Sequence, residues 1–416
     1  MAGKPTSGKR IRAARREPQY EIAVFAMLLA ALMLTFPNLY ALGKSNSLYY
    51  VLPYKDFGFQ SRLVVGSVVR LFTDYITEKS IFIIMAVTTL FFILAVSLMA
   101  GRIIRAAVRR GDIEAEVLAV LFIACPVSVQ YLFTSNNMGR LDLYLILITA
   151  LILYCIRHNK AKWAVPALCS FAMIVSFNFI FLYMPVIAVI MIREYILVSG
   201  SRSSRILLAL SGLAVVLFFA FFKIFPPASA FSNLEELKAY LAGITDVRGE
   251  EFLIYNDMCR PLADTYTRGA DTTFSWFFEL LGKYGSFSLF TAGPAAAFFI
   301  SFWLSAFKNA TNGKQRLFYL FCLLAPAGGL PMFLALDWDR WIPTLFISQI
   351  ILVLYLVAVN DAGTADTLRR FRDFSGRHAL FVLLCVIYLS SSIFFDRYLI
   401  YKPVILKHIN KFFDFY

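Results

Sequence analysis

Long apolar stretches alternate with short polar ones along the chain, and their length predicts helices that cross a membrane. A helix needs about 20 apolar residues to span the ~30 Å hydrocarbon core of a bilayer. On this criterion the sequence predicts an all-α polytopic membrane protein with about eleven transmembrane helices. The predicted spans are 20–42, 80–100, 115–133, 141–156, 164–177, 179–192, 206–224, 286–306, 317–336, 341–359 and 379–395.

The stretch from Lys162 to Arg193 predicts two short spans rather than one. A single straight helix over these residues would be ~45 Å long, since each residue adds about 1.5 Å, and the hydrocarbon core is thinner than that. Basic residues flank both ends of the stretch. Two spans that meet near Asn178 keep both flanks on the same side of the membrane.

The distribution of charge supports this arrangement and orients the chain. The segments that it places inside carry 23 Lys and Arg against 9 Asp and Glu, which accounts for the whole net charge of +14. Short loops rich in Lys and Arg stay in the cytoplasm. The sequence therefore predicts a cytoplasmic N-terminus and an extracytoplasmic C-terminus. The basic stretch 1–19 is then a cytoplasmic tail, not a cleaved signal peptide.

Two outer segments are much longer than the other connections. The first, 43–79, belongs to a transmembrane module over 20–224. The second, 225–285, separates that module from the helices and outer tail of 286–416.

Each long outer segment contains a predicted helix. Apolar residues at three- and four-residue spacing predict a helix from Phe57 to Ile76, which would lie flat on the outer membrane surface. A second helix is predicted at 233–242, with Ser232 or Asn233 as its cap.

Composition narrows the classes of function. The chain is 60% hydrophobic and only 16% charged, whereas soluble domains are ~25% charged. The basic residues lie at span ends, so the sequence predicts membrane lipids as partners and no binding to nucleic acid. Three scattered histidines, and six cysteines mostly in apolar runs, predict no metal site, no cofactor and no disulfide framework. A divalent ion recruited by acidic residues alone is left open.

Acidic and basic residues occur together at the outer ends of predicted helices. Asp56, next to Lys55, precedes the predicted surface helix, where it either caps the helix or acts as a general base. Arg140 and Asp142 begin the fourth span, either as a local ion pair or as part of a site.

A third junction, between spans nine and ten, carries Asp337, Asp339 and Arg340, which form either an interfacial turn or part of a site. Arg62 interrupts the predicted surface helix. Arginine binds phosphate through paired donors, and a lipid-linked phosphate lies at this depth. The candidate catalytic residues are Asp56 and Asp142, and the candidate substrate-binding residues are Lys55, Arg62, Arg140, Asp337, Asp339 and Arg340.

These features resemble the GT-C superfamily of membrane glycosyltransferases, in the branch of the protein O-mannosyltransferases and aminoarabinose transferases. Asp56 matches the catalytic aspartate of the long first outer loop. Arg140-Leu141-Asp142 matches an Arg-x-Asp pattern at the fourth span, and Met184-Pro185 matches the proline-containing sixth span. The long second outer segment, 225–285, is also typical of the family.

The resemblance implies transfer of a sugar from a polyprenyl-phosphate-linked donor to a glycan, lipid or protein acceptor on the outer face of a cell membrane. In a bacterium the carrier would be undecaprenyl phosphate. Asp56 would deprotonate the acceptor hydroxyl, with Asp142 as the second candidate, and arginines would hold the departing phosphate.

Three alternatives remain open at this point. An O-antigen-type polymerase or ligase also faces outward, but usually has one dominant outer loop late in the chain. A transporter or flippase of lipid-linked glycans needs charged residues at mid-membrane, and acids are nearly absent there. A membrane scaffold leaves the outer charges unexplained.

Overall fold

The computed structural model of the protein describes the greater part of a helical bundle. The described residues are 19–35, 47–111, 132–133, 139–158, 161–225, 231–249, 251–259, 279, 293–334 and 338–381. Over these ranges the chain is all-helical and forms no strand, only an isolated bridge between Ile76 and Thr245. The predicted all-α class is therefore confirmed for this part of the chain.

The α-helices are numbered here in chain order. They are α1 Gln19–Thr35, α2 Tyr54–Phe57, α3 Val64–Val69, α4 Glu78–Arg110, α5 Asp142–Arg157, α6 Val165–Val175, α7 Phe179–Leu182, α8 Met184–Met191, α9 Arg202–Ile224, α10 Leu234–Ile244, α11 Glu251–Met258, α12 293–309, α13 Gly313–Leu324, α14 Trp338–Ala358 and α15 Ala362–Arg377. A π-helix, Ile192–Val198, continues α8, and a 3-10 helix, Ala325–Leu334, continues α13.

Three helices of the described chain are long and apolar enough to cross a membrane, which identifies a membrane protein by length and composition. They are α4, α9 and the part of α14 from Arg340 to Ala358. In that part of α14, 72% of the apolar window is buried within the protein, whereas in α9 only 17% is buried. Helix α14 is therefore central in the bundle, whereas most of the apolar surface of α9 lies on the outside of the bundle. The predicted spans 115–133 and 379–395 lie almost entirely outside the described residues.

Local sequence explains where the long helices begin and end. The side chain of Thr77 accepts a hydrogen bond from the Ser80 amide at 3.1 Å and caps α4, an interaction that stabilises a helix by about 1 kcal/mol. Gly111 ends α4 in the left-handed region, at φ 83°, where glycine avoids the Cβ penalty. Ser201 caps α9 in the same way as Thr77 caps α4.

Side-chain contacts define two ends of the bundle. At one end, which we call the Arg340 end, Arg340 at the start of α14 contacts Asp142 at the start of α5. At the other, the Asp361 end, Asp361 after α14 pairs with Arg193 at 3.3 Å. Arg110, the last residue of α4, also lies at the Asp361 end, where Nη2 donates to the Val357 carbonyl at 2.8 Å.

The chain reverses direction between α6 and α7. The turn at Ser176–Asn178 follows α6 and lies at the Arg340 end, since Asn178 contacts Arg340. The π-helix then carries Arg193 back to the Asp361 end. This is the reversal that the sequence predicts near Asn178, and α6 packs against both α5 and α9.

The two long segments predicted to lie outside pack against each other. The Ile76 amide donates to the Ile244 carbonyl at 2.9 Å, and the Thr245 hydroxyl donates to the Ile76 carbonyl at 2.6 Å. The Gln60 side chain donates to the Met258 carbonyl at 3.3 Å. These contacts fasten the second segment to the first.

The predicted helix from Phe57 to Ile76 is wrong as a continuous element. Only α2 and α3 form, because Gly58 and Arg62 both have positive φ, 71° and 79°, which no right-handed helix accommodates. The helix predicted at 233–242 is confirmed as α10, capped by Asn233, whose side chain accepts from the Glu236 amide at 2.9 Å.

Candidate active site

Asp56 lies in α2, a single helical turn held in place by its neighbours. The Tyr54 amide donates to the Ser67 hydroxyl at 2.8 Å, which fixes α2 to α3. The Asp56 carboxylate is half-buried, and its Oδ2 accepts a hydrogen bond from the Tyr240 hydroxyl of α10. Lys55 beside it is exposed. A carboxylate of the first long segment is therefore contacted by a phenol of the second.

Tyr240 is held by aromatic packing as well as by Asp56. Its ring centroid lies 4.8 Å from that of Phe231 and 6.1 Å from that of Phe57. Burial raises the pKa of Tyr240, and the hydrogen bond and charge of Asp56 raise it further, whereas Arg70 lowers it. The phenol therefore stays protonated at neutral pH and donates to the carboxylate.

Arg62 lies where the first segment meets the reversal between α6 and α7. Its amide donates to the Ile174 carbonyl at 3.0 Å, and Nη1 donates to the Tyr49 hydroxyl at 3.0 Å. The guanidinium lies 5.0 Å from the centroid of the Phe177 ring, within cation–π range. Its positive φ follows from this docking, because the backbone turns there to reach α6.

Lys223, in the last turn of α9, approaches the same aromatic ring. Its Nζ lies 3.9 Å from the centroid of Phe177 and 5.8 Å from that of Phe219. Arg62 and Lys223 therefore place two positive charges around Phe177, which we call the Phe177 cation pair. Sequence reasoning missed Lys223; the available signal was a lysine that ends an otherwise apolar, Phe-rich run.

Asp142 and Arg340 form a buried ion pair that links α5 to α14. Arg340 Nε donates to Oδ2 of Asp142 at 2.6 Å and Nη2 donates to Oδ1 at 2.8 Å, with side-chain exposures of 9% and 0%. With the Asn178 amide oxygen turned toward the guanidinium, it accepts from Nη2 at 3.2 Å and from Nη1 at 3.3 Å. The sequence suggests Arg140 as the local partner of Asp142, whereas the structure gives it Arg340.

The other candidate residues lie near this pair along the chain. Arg140 follows Gly139, which turns the chain at φ 83°, and is half-buried. Asp337 lies outside the described residues, as does the side chain of Asp339. Across the described chain, no three His, Cys, Asp or Glu residues form a group that could hold a metal ion.

Aromatic rings form an apolar wall beside the Phe177 cation pair. The ring of Phe59 lies 5.9 Å from that of Phe221 and 5.8 Å from that of Phe222, both in α9. Phe225, the next residue after α9, is 60% exposed. An apolar ligand with a negatively charged head would meet aromatic surface and positive charge together here.

Comparison of the chain with known protein families, with characterised proteins and with solved structures finds no match. The assignment of a function therefore depends on the residues and geometry described above.

Proposed function

We propose that the protein is a multi-pass glycosyltransferase that moves a sugar from a polyprenyl-phosphate-linked donor to an acceptor hydroxyl on the outer face of a bacterial membrane. The Arg340 end of the bundle faces outward, and the Asp361 end faces the cytoplasm. The GT-C resemblance of the sequence suggests this activity, and the arrangement of Asp56 and the Phe177 cation pair supports it.

The observation that carries the proposal is that one end of the bundle holds a carboxylate and two cations on elements that pack together. Asp56 belongs to the same segment as Arg62 and lies six residues before it along the chain. Phe59, between them, packs on α9 near Lys223. A base for the acceptor and positive charge for a departing phosphate are the two groups that this transfer requires.

In the proposed reaction, one Asp56 oxygen accepts the proton of the acceptor hydroxyl while the hydroxyl oxygen of the acceptor attacks the anomeric carbon. The new C–O bond forms as the bond between the sugar and the polyprenyl phosphate breaks, so the anomeric configuration inverts. The electron pair of the broken bond leaves on the phosphate, which Arg62 and Lys223 stabilise. The polyprenyl chain lies along Phe59 and Phe221.

The orientation rests on the location of basic residues. Arg110 and Arg193 lie at the Asp361 end, as do Arg102 and Arg105 in the last turns of α4. Positive charge at the ends of spans marks the cytoplasmic side.

The proposal is tested by replacing Asp56 in purified, reconstituted protein. Asp56→Asn keeps the shape of the side chain and removes the base, so transfer of a labelled sugar from an undecaprenyl-phosphate hexose should fall ~10²–10⁴-fold. Binding of undecaprenyl phosphate should persist. Asp74→Asn, an exposed acid of the same segment, is the matched control and should transfer normally. Equal transfer by the Asp56 and Asp74 variants would remove Asp56 from the site.

A further inference from the structure

We propose that Tyr240 is a positioning residue, which holds one oxygen of Asp56 so that the other faces the acceptor hydroxyl. This inference rests on the proposed function and extends it to the second outer segment. The interaction joins residues 184 positions apart, between α10 and α2. The second segment would thereby help to build the base as well as cover it.

The backbone around Tyr240 is fixed strongly enough for this role. Helix α10 begins with a reciprocal cap, in which Asn233 accepts from the Glu236 amide at 2.9 Å and Glu236 accepts from the Ser232 amide at 2.9 Å. Such caps satisfy the open amides of the first turn. The Ile76–Thr245 bridge then fastens the other end of α10 to the first segment. Both ends of the helix are thus tied down, and the phenol has little freedom to move.

The chemistry of the pair fits positioning. Because Tyr240 is neutral at physiological pH, its hydroxyl can donate to the carboxylate without competing for the acceptor's proton. Oδ2 accepts that hydrogen bond, and no described residue donates to Oδ1. Oδ1 is therefore the oxygen that can accept the acceptor's proton. Lys55 and Arg62 are the basic residues nearest to Asp56 along the first segment, and Arg70 is close enough to lower the pKa of Tyr240.

Positioning by Tyr240 makes a distinct prediction from simple packing. Tyr240→Phe keeps the ring between Phe57 and Phe231 and removes only the hydroxyl. We expect kcat to fall about tenfold to a hundredfold, as for a misplaced catalytic group, with KM for an undecaprenyl-phosphate hexose unchanged. Because the ring still packs between Phe57 and Phe231, a purely structural role of Tyr240 would leave both kcat and KM unchanged.

Tyr255→Phe is the matched control. Tyr255 lies in the same segment and its hydroxyl donates to the Ser232 carbonyl at 2.8 Å, so its loss tests the general effect of removing a phenol from this segment. The control should keep the wild-type kcat and KM. A Tyr240→Phe variant with wild-type kcat would overturn the proposal, and so would an equal fall of kcat in both variants.

A second measurement tests Tyr240 even if the protein transfers no sugar. Carbodiimide coupling of an amine to Asp56, measured by mass spectrometry without any donor present, reports access to the carboxylate. The coupling should increase in Tyr240→Phe and not in Tyr255→Phe. Equal coupling in the wild type and both variants would refute the contact. Increased coupling in a protein that transfers nothing from the hexose donor would retain the contact and reject the proposed function.

Discussion

The ion pair between Asp142 and Arg340 allows a quantitative test of how the Arg340 end is held together. The perturbation is a cycle of three variants, Asp142→Leu, Arg340→Met and the double variant. Each single change leaves one charge buried without the other. The double change replaces the pair with two apolar side chains of similar size.

The burial of the pair decides how much the free energy of unfolding changes in each variant. An exposed ion pair contributes only ~0–1 kcal/mol, but here the Asp142 side chain is 0% exposed and that of Arg340 9% exposed. Removal of one partner from such a pair costs about 3–5 kcal/mol, whereas replacement of both by apolar residues is often neutral or stabilising. We therefore expect each single variant to be strongly destabilised and the double variant to be more stable than either.

The assay is unfolding of the detergent-solubilised protein, followed by transfer measurements on any variant that folds. If each single variant loses less than ~1 kcal/mol of unfolding free energy, or if the two losses add in the double variant, the two charges are not coupled. The cycle also separates structure from chemistry. If Asp142 serves only to join α5 to α14, the folded double variant should transfer sugar. A folded but inactive double variant, together with an active Asp56→Asn variant, would identify Asp142 as the base.

Two further predictions concern the donor and the topology. Arg62→Lys keeps the charge but loses the paired donors of arginine, so binding of undecaprenyl phosphate should weaken; Arg369→Lys, an exposed change in α15, is the control, and normal binding by the Arg62 variant would locate the phosphate elsewhere. In a variant without native cysteines, a cysteine at position 410 should react with an impermeant reagent from outside and one at position 365 should not. Labelling in the reverse sense would contradict the orientation.

Elements whose signal is local could be predicted from the sequence. Asn233 begins α10 because an asparagine oxygen satisfies the amide three residues later, and that information lies within four residues. The reversal near Asn178 follows from length and charge, which also need no partner elsewhere in the chain. Gly58 in the sequence is evidence against one long helix over 57–76, since glycine at a polar break favours a turn.

Pairings set by packing could not be predicted in this way. Asp142 and Arg340 are 198 residues apart, and Asp56 and Tyr240 are 184 apart. Nothing near Asp142 in the sequence specifies that its partner comes from α14 rather than from Arg140, two residues away. The role of Lys223 beside Phe177 likewise depends on how α9 packs on α6, which a single sequence does not reveal.

The bridge between Ile76 and Thr245 has a consequence for how the chain is made. The two residues are 169 positions apart, and chains grow at ~5–20 residues per second. The first of the two long segments is therefore complete on the order of ten to thirty seconds before its partner is synthesised. During that interval Phe57 lacks the Phe231 and Tyr240 rings that later cover it. Biogenesis of the protein should accordingly be most sensitive to chaperones and proteases in this window, well before the last helices are inserted.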